Sequence, residues 1–144
     1  MRFQYRHPRF YDVLVWFLYR RELFHALRRE VGEHKTVFDV ACGYGRLARH
    51  IDSSNGYYGI DLNDYFLAYG RKRGLRVEKA NILEERSYRP SDVFLVDDIV
   101  HHLKDEELTT LFGFLFRFAR EKIIVIEPFW FRESRRNTFF TKLQ

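Results

Sequence analysis

The stretch Val37-Phe38-Asp39-Val40-Ala41-Cys42-Gly43-Tyr44-Gly45-Arg46-Leu47-Ala48 decides the fold of this chain. It begins with apolar and β-branched residues, which are typical of a parallel strand covered on both faces. Gly43 and Gly45 follow, and glycine lets a backbone turn sharply and lie close to a ligand. We therefore predict a strand, a tight turn and a helix whose first backbone N–H groups point at a bound molecule.

A second strand-like run, Gly56-Tyr57-Tyr58-Gly59-Ile60-Asp61, follows the turn and ends in an acid. A carboxylate at the end of a strand next to such a turn can accept both hydroxyl groups of a ribose. The glycine turn and Asp61 together predict a site for an adenosine-containing cofactor.

Two kinds of cofactor fit this layout. The pattern Gly43-x-Gly45-x-x-Ala48 with Asp61 downstream matches the dinucleotide fingerprint of nicotinamide-dependent oxidoreductases, but that short pattern alone is weak. Asp39 favours the other reading, because its carboxylate would repel a pyrophosphate and suits a cofactor that has an ammonium and a sulfonium group.

The sequence Asp39-x-Ala41-x-Gly43-x-Gly45 resembles motif I of the class I S-adenosylmethionine-dependent methyltransferases, with Ala41 in place of the first glycine. The resemblance covers roughly residues 36–128. Gly59-Ile60-Asp61-Leu62 is similar to the second motif, and the run Asp97-Asp98-Ile99-Val100-His101-His102-Leu103 resembles the end of the fourth strand in Methyltransferase type 11/12 members.

The resemblance implies an enzyme that transfers a methyl group from S-adenosylmethionine to an acceptor. It implies that Asp61 holds the ribose, that Asn81 lies against the adenine amine, and that the adenine sits between Leu62 and Ile82. The full set of expected cofactor-binding residues is Asp39, Ala41, Cys42, Gly43, Gly45, Asp61, Leu62, Asn81, Ile82 and Asp97.

Methyl transfer from a sulfonium is an in-line displacement, so it requires positioning more than a covalent catalyst. A base matters only if the acceptor arrives protonated, and the candidates are His101 and Asp98, just beyond the fourth strand. We expect His101, rather than His102, to face the cofactor. The remaining histidines do not have the spacing of metal ligands, so we predict no metal site; they are His7, His25, His34 and His50.

Periodicity and turn residues predict an α/β fold that forms a single domain over residues 1–144. Helices are expected at 12–31, 45–52, 64–73 and 106–120, the last beginning after an N-cap at Asp105. Parallel strands are expected at 36–41, 57–61, 75–80, 92–97 and 122–127. The family order of these five strands is 3-2-1-4-5, a Rossmann-like doubly wound sheet, with a cofactor-binding core at 36–128 and an extra N-terminal helix in the flank 1–35.

The chain departs from the family after its fifth strand. Class I methyltransferases usually add a sixth strand and an antiparallel seventh, whereas Pro128 to Gln144 reads as a basic aromatic helix or arm. Strand 122–127 would then form an exposed sheet edge, which invites pairing. The arm at 129–144, a second copy of the chain in a homodimer, or further residues of a longer protein would cover it. A non-catalytic or truncated cofactor-binding domain therefore stays open as an alternative.

Composition excludes other classes of protein. The 144 residues are 46% hydrophobic and 31% charged, and no apolar run approaches the roughly 20 residues of a membrane span. The single cysteine, Cys42, and the lack of a secretory signal favour the cytoplasm. The net charge is +5, and the excess of positive charge lies in residues 1–35 and 128–144. Both a small-molecule acceptor and an RNA acceptor bound by these flanks are therefore considered.

Overall fold

A computed structural model describes residues 21–127 and 138–141. Its elements are, in chain order, helix α1 (Arg21–Val31), strand β1 (Thr36–Val40), a 3-10 helix (Leu47–Arg49), β2 (Gly56–Asp61), α2 (Asp64–Lys72), β3 (Val77–Lys79), a 3-10 helix (Glu85–Ser87), β4 (Ser91–Asp97), a 3-10 helix (Val100–His102), α3 (Asp105–Phe118), β5 (Ala119–Glu127) and β6 (Thr138–Thr141). The part of the predicted N-terminal helix before residue 21 and most of the arm at 129–144 lie outside the described residues.

The sheet has the order β3-β2-β1-β4-β5-β6. Strands β1 to β5 are parallel, which confirms the predicted order 3-2-1-4-5. Strands β2 and β3 lie on one side of β1, whereas β4 and β5 lie on its other side, so the strand order reverses between β1 and β4. In open α/β sheets the crevice at the carboxyl ends of such strands is the usual place for a ligand.

Apolar residues alternate between the two faces of the sheet. Val37, Val93 and Leu95 pack on one face with Leu27 and Val31 of α1. The alternate residues of β1 and β4 point to the other face, where they pack with the buried Leu111 and Leu115 of α3. These residues are Phe38, Val40, Phe94 and Val96. Both faces are thus covered, as the continuous apolar runs of these strands predict. The apolar residues of α3 are only partly core, since Phe116 is 55% exposed.

Strand β6 pairs antiparallel with β5, from Ile124 opposite Thr141 to Glu127 opposite Thr138. The prediction that strand 122–127 forms the edge of the sheet is therefore wrong. A segment of the predicted arm covers this side, which was one of the three arrangements considered. Backbone pairing with β6 gives hydrogen-bond partners to groups of β5 that would otherwise face water.

The predicted helix at 45–52 is also wrong, because only the short 3-10 helix Leu47–Arg49 forms there. Polar residues after it bind the backbone instead: Ser54 donates its N–H to Asp52 Oδ1 at 3.0 Å, and Asn55 Oδ1 accepts the N–H of Lys35 at 2.7 Å. Such side chains compete with helical hydrogen bonds. The segment between Gly45 and this turn is short, so few helical hydrogen bonds could form there to offset the free-energy cost of starting a helix.

The start of α3 lies one residue earlier than predicted. Lys104, not Asp105, is the N-cap residue, and its N–H is bound by the Glu107 carboxylate at 2.9 Å. The negative side chain satisfies a donor that the helix leaves unpaired and complements the helix dipole.

Gly59 in β2 gives a test of the packing beneath the glycine turn. A Cβ atom at this position would lie 2.6 Å from Cys42 Sγ and 2.8 Å from Cys42 Cβ. We expect Gly59→Ala to lower the free energy of unfolding by about 1 to 2 kcal/mol through overpacking. Gly113→Ala is the matched control: it meets nothing within 4 Å, lies within α3 and should be neutral or stabilising. Urea unfolding of both variants measures the difference, and equal stabilities would contradict this packing.

Candidate functional site

A cavity of about 240 Å³ lies at the carboxyl ends of β1, β2 and β4. Three segments of the chain line it: the turn after β1, the segment from the end of β2 into α2, and the exit from β4. The lining includes Ala41, Cys42, Gly43, Arg46, Asp61, Asn63, Asp97, Asp98 and His102. The cavity is therefore at the switch in strand order, where the sequence predicts the cofactor.

The turn after β1 has three residues in the left-handed region: Ala41 with φ 55°, Gly43 with φ 56° and Gly45 with φ 75°. The backbone N–H of Cys42 donates to Ile60 O at 2.9 Å and ties the turn to β2. Ala41, which replaces a glycine of motif I, keeps a glycine-like conformation although its Cβ makes it costly, on the order of 1 kcal/mol. The turn geometry thus survives this replacement.

Asp61 fixes the turn against the start of α2. Its Oδ2 accepts the N–H of Gly43 at 2.8 Å, and its Oδ1 accepts the N–H of Asn63 at 2.7 Å. Asn63 in turn caps α2 by accepting the N–H groups of Tyr65 and Phe66. A carboxylate has about four acceptor positions, so each Asp61 oxygen can still accept a hydroxyl group from a ligand in the cavity.

The two glycines of the turn differ in their surroundings. Gly43 lines the cavity, and a Cβ atom there would have one neighbour, Phe66, at an ordinary contact distance of 3.8 Å. Gly45 faces the protein, since a Cβ atom there would overlap Leu75 Cδ1. Gly43 is thus the glycine that opens the backbone to a ligand, whereas Gly45 allows the turn to pack on Leu75.

The Cys42 side chain is buried in a small apolar cluster with Leu67 and Val77. Burial raises the pKa of the Cys42 thiol far above its usual range, and the nearby Asp39 and Asp61 charges raise it further. A neutral buried thiol is a poor nucleophile. Cys42 therefore contributes to the cavity wall and not to covalent chemistry.

Asp39 is 1% exposed and lies beneath the cavity wall. Its Oδ2 accepts a hydrogen bond from the Tyr57 hydroxyl at 2.6 Å, while Oδ1 has no hydrogen-bond partner within the described part of the chain. Burial raises the pKa of Asp39 from 3.8 to about 8, and the Tyr57 hydrogen bond opposes that shift. Asp39 thus holds its proton up to about pH 8 and is not among the residues that line the cavity.

Arg46 and Asp97 form a buried ion pair in the cavity wall, with side chains 6% and 13% exposed. Burial raises the pKa of Asp97, the Arg46 charge lowers it, and the charges of Asp98 and Glu127 raise it. Asp97 Oδ1 has no hydrogen-bond partner within the described part of the chain. Arg46 was missed at the sequence level, although a basic residue directly after the second glycine of such a turn is a usable signal.

The two adjacent histidines after β4 are both exposed, and their ring centroids lie 3.9 Å apart. His102 lines the cavity, whereas His101 Nδ1 lies 2.7 Å from Glu127 Oε2. Glu127, at the end of β5, also accepts the N–H groups of Ile99 at 2.9 Å and Val100 at 2.6 Å through Oε1. The structure thus places His102 on the cavity where the sequence favoured His101. Glu127 was not among the predicted site residues.

The residues predicted around the adenine are not in this cavity. Leu62, 59% exposed, and Asn81 line a neighbouring groove of about 710 Å³. Asn81 Oδ1 accepts the N–H of Leu83 at 3.0 Å. Ile82 is buried in the apolar cluster on the α3 face of the sheet. The groove includes Leu62, which directly follows Asp61 of the cavity, so the groove and the cavity are adjacent there, while Ile82 has a packing role.

Comparisons with known proteins support the fold. No protein-family model and no curated protein matches the sequence. The PH0226 protein from Pyrococcus horikoshii OT3 is 18% identical with a TM-score of 0.67, over 77% of this chain and 60% of that one. A SAM-dependent methyltransferase from Archaeoglobus fulgidus is 20% identical with a TM-score of 0.63, over 85% and 59%.

Magnesium protoporphyrin IX methyltransferase from Synechocystis PCC 6803, solved with bound SAH, is 16% identical with a TM-score of 0.63, over 73% of this chain and 52% of that one. The chain thus spans between about half and two thirds of the length of these proteins. At these identities the likeness establishes the fold alone.

Proposed function

Because the chain has the class I methyltransferase fold, we propose that it is an S-adenosylmethionine-dependent methyltransferase. The observation that supports this most directly is the cavity at the switch in strand order, where the glycine turn and Asp61 lie side by side. A ribose-binding acid next to an open backbone turn suits an adenosine-containing ligand. The solved methyltransferases of similar fold agree with this function.

The charge of the cavity favours S-adenosylmethionine over a dinucleotide. Asp61, Asp97 and Asp98 line it together with Arg46, which is paired with Asp97. A pyrophosphate would meet this excess of carboxylates, whereas the ammonium and sulfonium groups of S-adenosylmethionine would be attracted. Asp97 Oδ1, buried without a hydrogen-bond partner in the described residues, is a suitable acceptor for an ammonium group.

The residues around the cavity would act by positioning. Bound S-adenosylmethionine would supply an electrophilic methyl group. Asp61 and the turn after β1 would hold the cofactor, while the buried residues of the cavity wall would exclude water. Asp98 lines the cavity and would face the acceptor. We retain His101 as a candidate base, acting through Nε2, because Glu127 engages its Nδ1. The acceptor remains a small molecule or an RNA, and a labelled-methyl screen over both pools would distinguish them.

Calorimetry of the full chain tests this proposal. We expect S-adenosylmethionine and S-adenosylhomocysteine to bind in one equivalent each and NADH not to bind. Tight NADH binding without affinity for S-adenosylhomocysteine would favour an oxidoreductase and overturn the proposal. Binding of S-adenosylhomocysteine without methyl transfer to any pool would instead support a non-catalytic cofactor-binding domain.

Location and assembly are further parts of the proposal. None of the helices among the described residues is long and apolar enough to cross a membrane. The cytoplasm is proposed from the single cysteine, and a homodimer is proposed from the aromatic arm; its residues 129–137 and 142–144 lie outside the described residues.

A further inference from the structure

The side chains of Asp98, His101 and Glu127 converge at the mouth of the cavity. One ligand-type atom from each lies within 4.8 Å of the other two. His101 Nδ1 is 2.7 Å from Glu127 Oε2 and 3.8 Å from Asp98 Oδ1. Two donor atoms that each lie about 2.1 Å from one metal ion are separated by roughly 3 to 3.5 Å. The His101–Glu127 distance is slightly shorter than this range and the His101–Asp98 distance is slightly longer, so small side-chain shifts would bring all three donors to one ion.

We propose that Asp98, His101 and Glu127 form a binding site for a divalent transition-metal ion. One imidazole nitrogen and two carboxylate oxygens make a donor set that suits Mn²⁺ or Zn²⁺. The three residues come from two elements, since Asp98 and His101 follow β4 and Glu127 ends β5. The prediction of no metal site rested on the spacing of the histidines, which does not show that Glu127 lies beside Asp98 and His101.

Glu127 can take part without losing its structural contacts. Its Oε1 accepts the N–H groups of Ile99 and Val100, which hold the 3-10 turn on β5. Its other oxygen, Oε2, faces His101. A metal ion between Oε2 and His101 Nδ1 would replace one hydrogen bond and leave the two backbone hydrogen bonds in place. Because Nε2 would then carry the ring proton, His101 would be a ligand in the metal-bound protein and not a base.

The site adjoins the cavity, because Asp98 belongs to the cluster and also lines the cavity. Three protein ligands leave coordination positions open for water or for an oxygen of a bound molecule. A metal ion here would therefore be placed to bind an oxygen of whatever occupies the cavity mouth. Metal binding itself does not depend on the methyltransferase proposal.

Titration of the metal-free full chain with Mn²⁺, without any cofactor, tests the site. Electron paramagnetic resonance of free Mn²⁺ gives the bound fraction, and we expect one equivalent per chain. Asp98→Asn, His101→Gln and Glu127→Gln should each weaken Mn²⁺ binding at least about tenfold. Glutamine at 127 keeps an oxygen for the backbone N–H groups, and asparagine tolerates the φ of 57° at position 98.

His25→Gln is the matched control, since His25 is an exposed histidine on α1 and is not in the cluster. It should change Mn²⁺ affinity less than about twofold. His101 is exposed, so its variant should fold even if Glu127→Gln does not, and melting curves without metal check this. The proposal is overturned if the chain binds no equivalent of Mn²⁺, if His101→Gln binds as the unmodified chain does, or if His25→Gln weakens binding equally.

Discussion

Asp39→Asn is expected to stabilise the protein at alkaline pH by several kcal/mol. The pKa of Asp39 is raised from 3.8 to about 8, with burial as the largest cause. The folded state therefore holds a proton between about pH 4 and pH 8 that the unfolded state has lost. Stability falls as pH rises through that window, and the loss is complete above pH 8.

The size of this loss follows from about 1.4 kcal/mol for each unit of pKa difference. The full shift sets an upper bound of roughly 6 kcal/mol, and we expect on the order of 2 to 4 kcal/mol because the structure relaxes around the charge. Asparagine keeps an oxygen for the Tyr57 hydroxyl and cannot ionise. Urea unfolding at pH 5, 7 and 9 should show that Asp39→Asn gains on the unmodified protein as the pH rises.

Tyr57→Phe is the complementary variant. It removes the hydroxyl that lies 2.6 Å from Asp39 Oδ2 and favours the ionised form. The pKa of Asp39 should then rise further, and the fall in stability with pH should become larger. Identical pH profiles for the unmodified protein and Asp39→Asn would show that ionisation of Asp39 is not coupled to folding.

Local sequence predicted the parts of the fold that depend on local patterns. The runs around Phe38, Ile60 and Phe94 are apolar and bounded by turn residues, and each forms a strand. Because Asp61 directly follows such a run, its place at the carboxyl end of β2 was predictable. The order of the strands came from the resemblance to a family, since periodicity does not determine which strands are neighbours.

The features that were missed depend on contacts between distant segments. Glu127 meets the backbone of Ile99 and Val100 only after β4 and β5 pair. Arg46, in the turn after β1, meets Asp97 only because β4 pairs with β1, and nothing along the chain links them. The missing helix after Gly45 has a local cause instead, because the turn at Asp52 outweighs helix propensity there.

Asp61→Ala is expected to weaken the binding of S-adenosylhomocysteine by about 1.5 to 3 kcal/mol, or roughly 10-fold to 150-fold in Kd. The proposal makes this carboxylate the acceptor for both ribose hydroxyl groups, and hydrogen bonds to a charged group are the stronger kind. Part of the loss would come from the turn, because Asp61 also accepts the N–H groups of Gly43 and Asn63.

Two further variants separate these causes. Asp61→Asn keeps one oxygen for the backbone and should lose less affinity than Asp61→Ala. Asp64→Ala removes an equal charge three residues later, where the carboxylate is exposed and paired with Lys79, so it should leave the Kd unchanged. Calorimetry on the three variants, with melting curves to verify folding, measures the effects. An unchanged Kd in Asp61→Ala would remove Asp61 from the ribose site, and an equal loss in Asp64→Ala would indicate that only the overall charge matters.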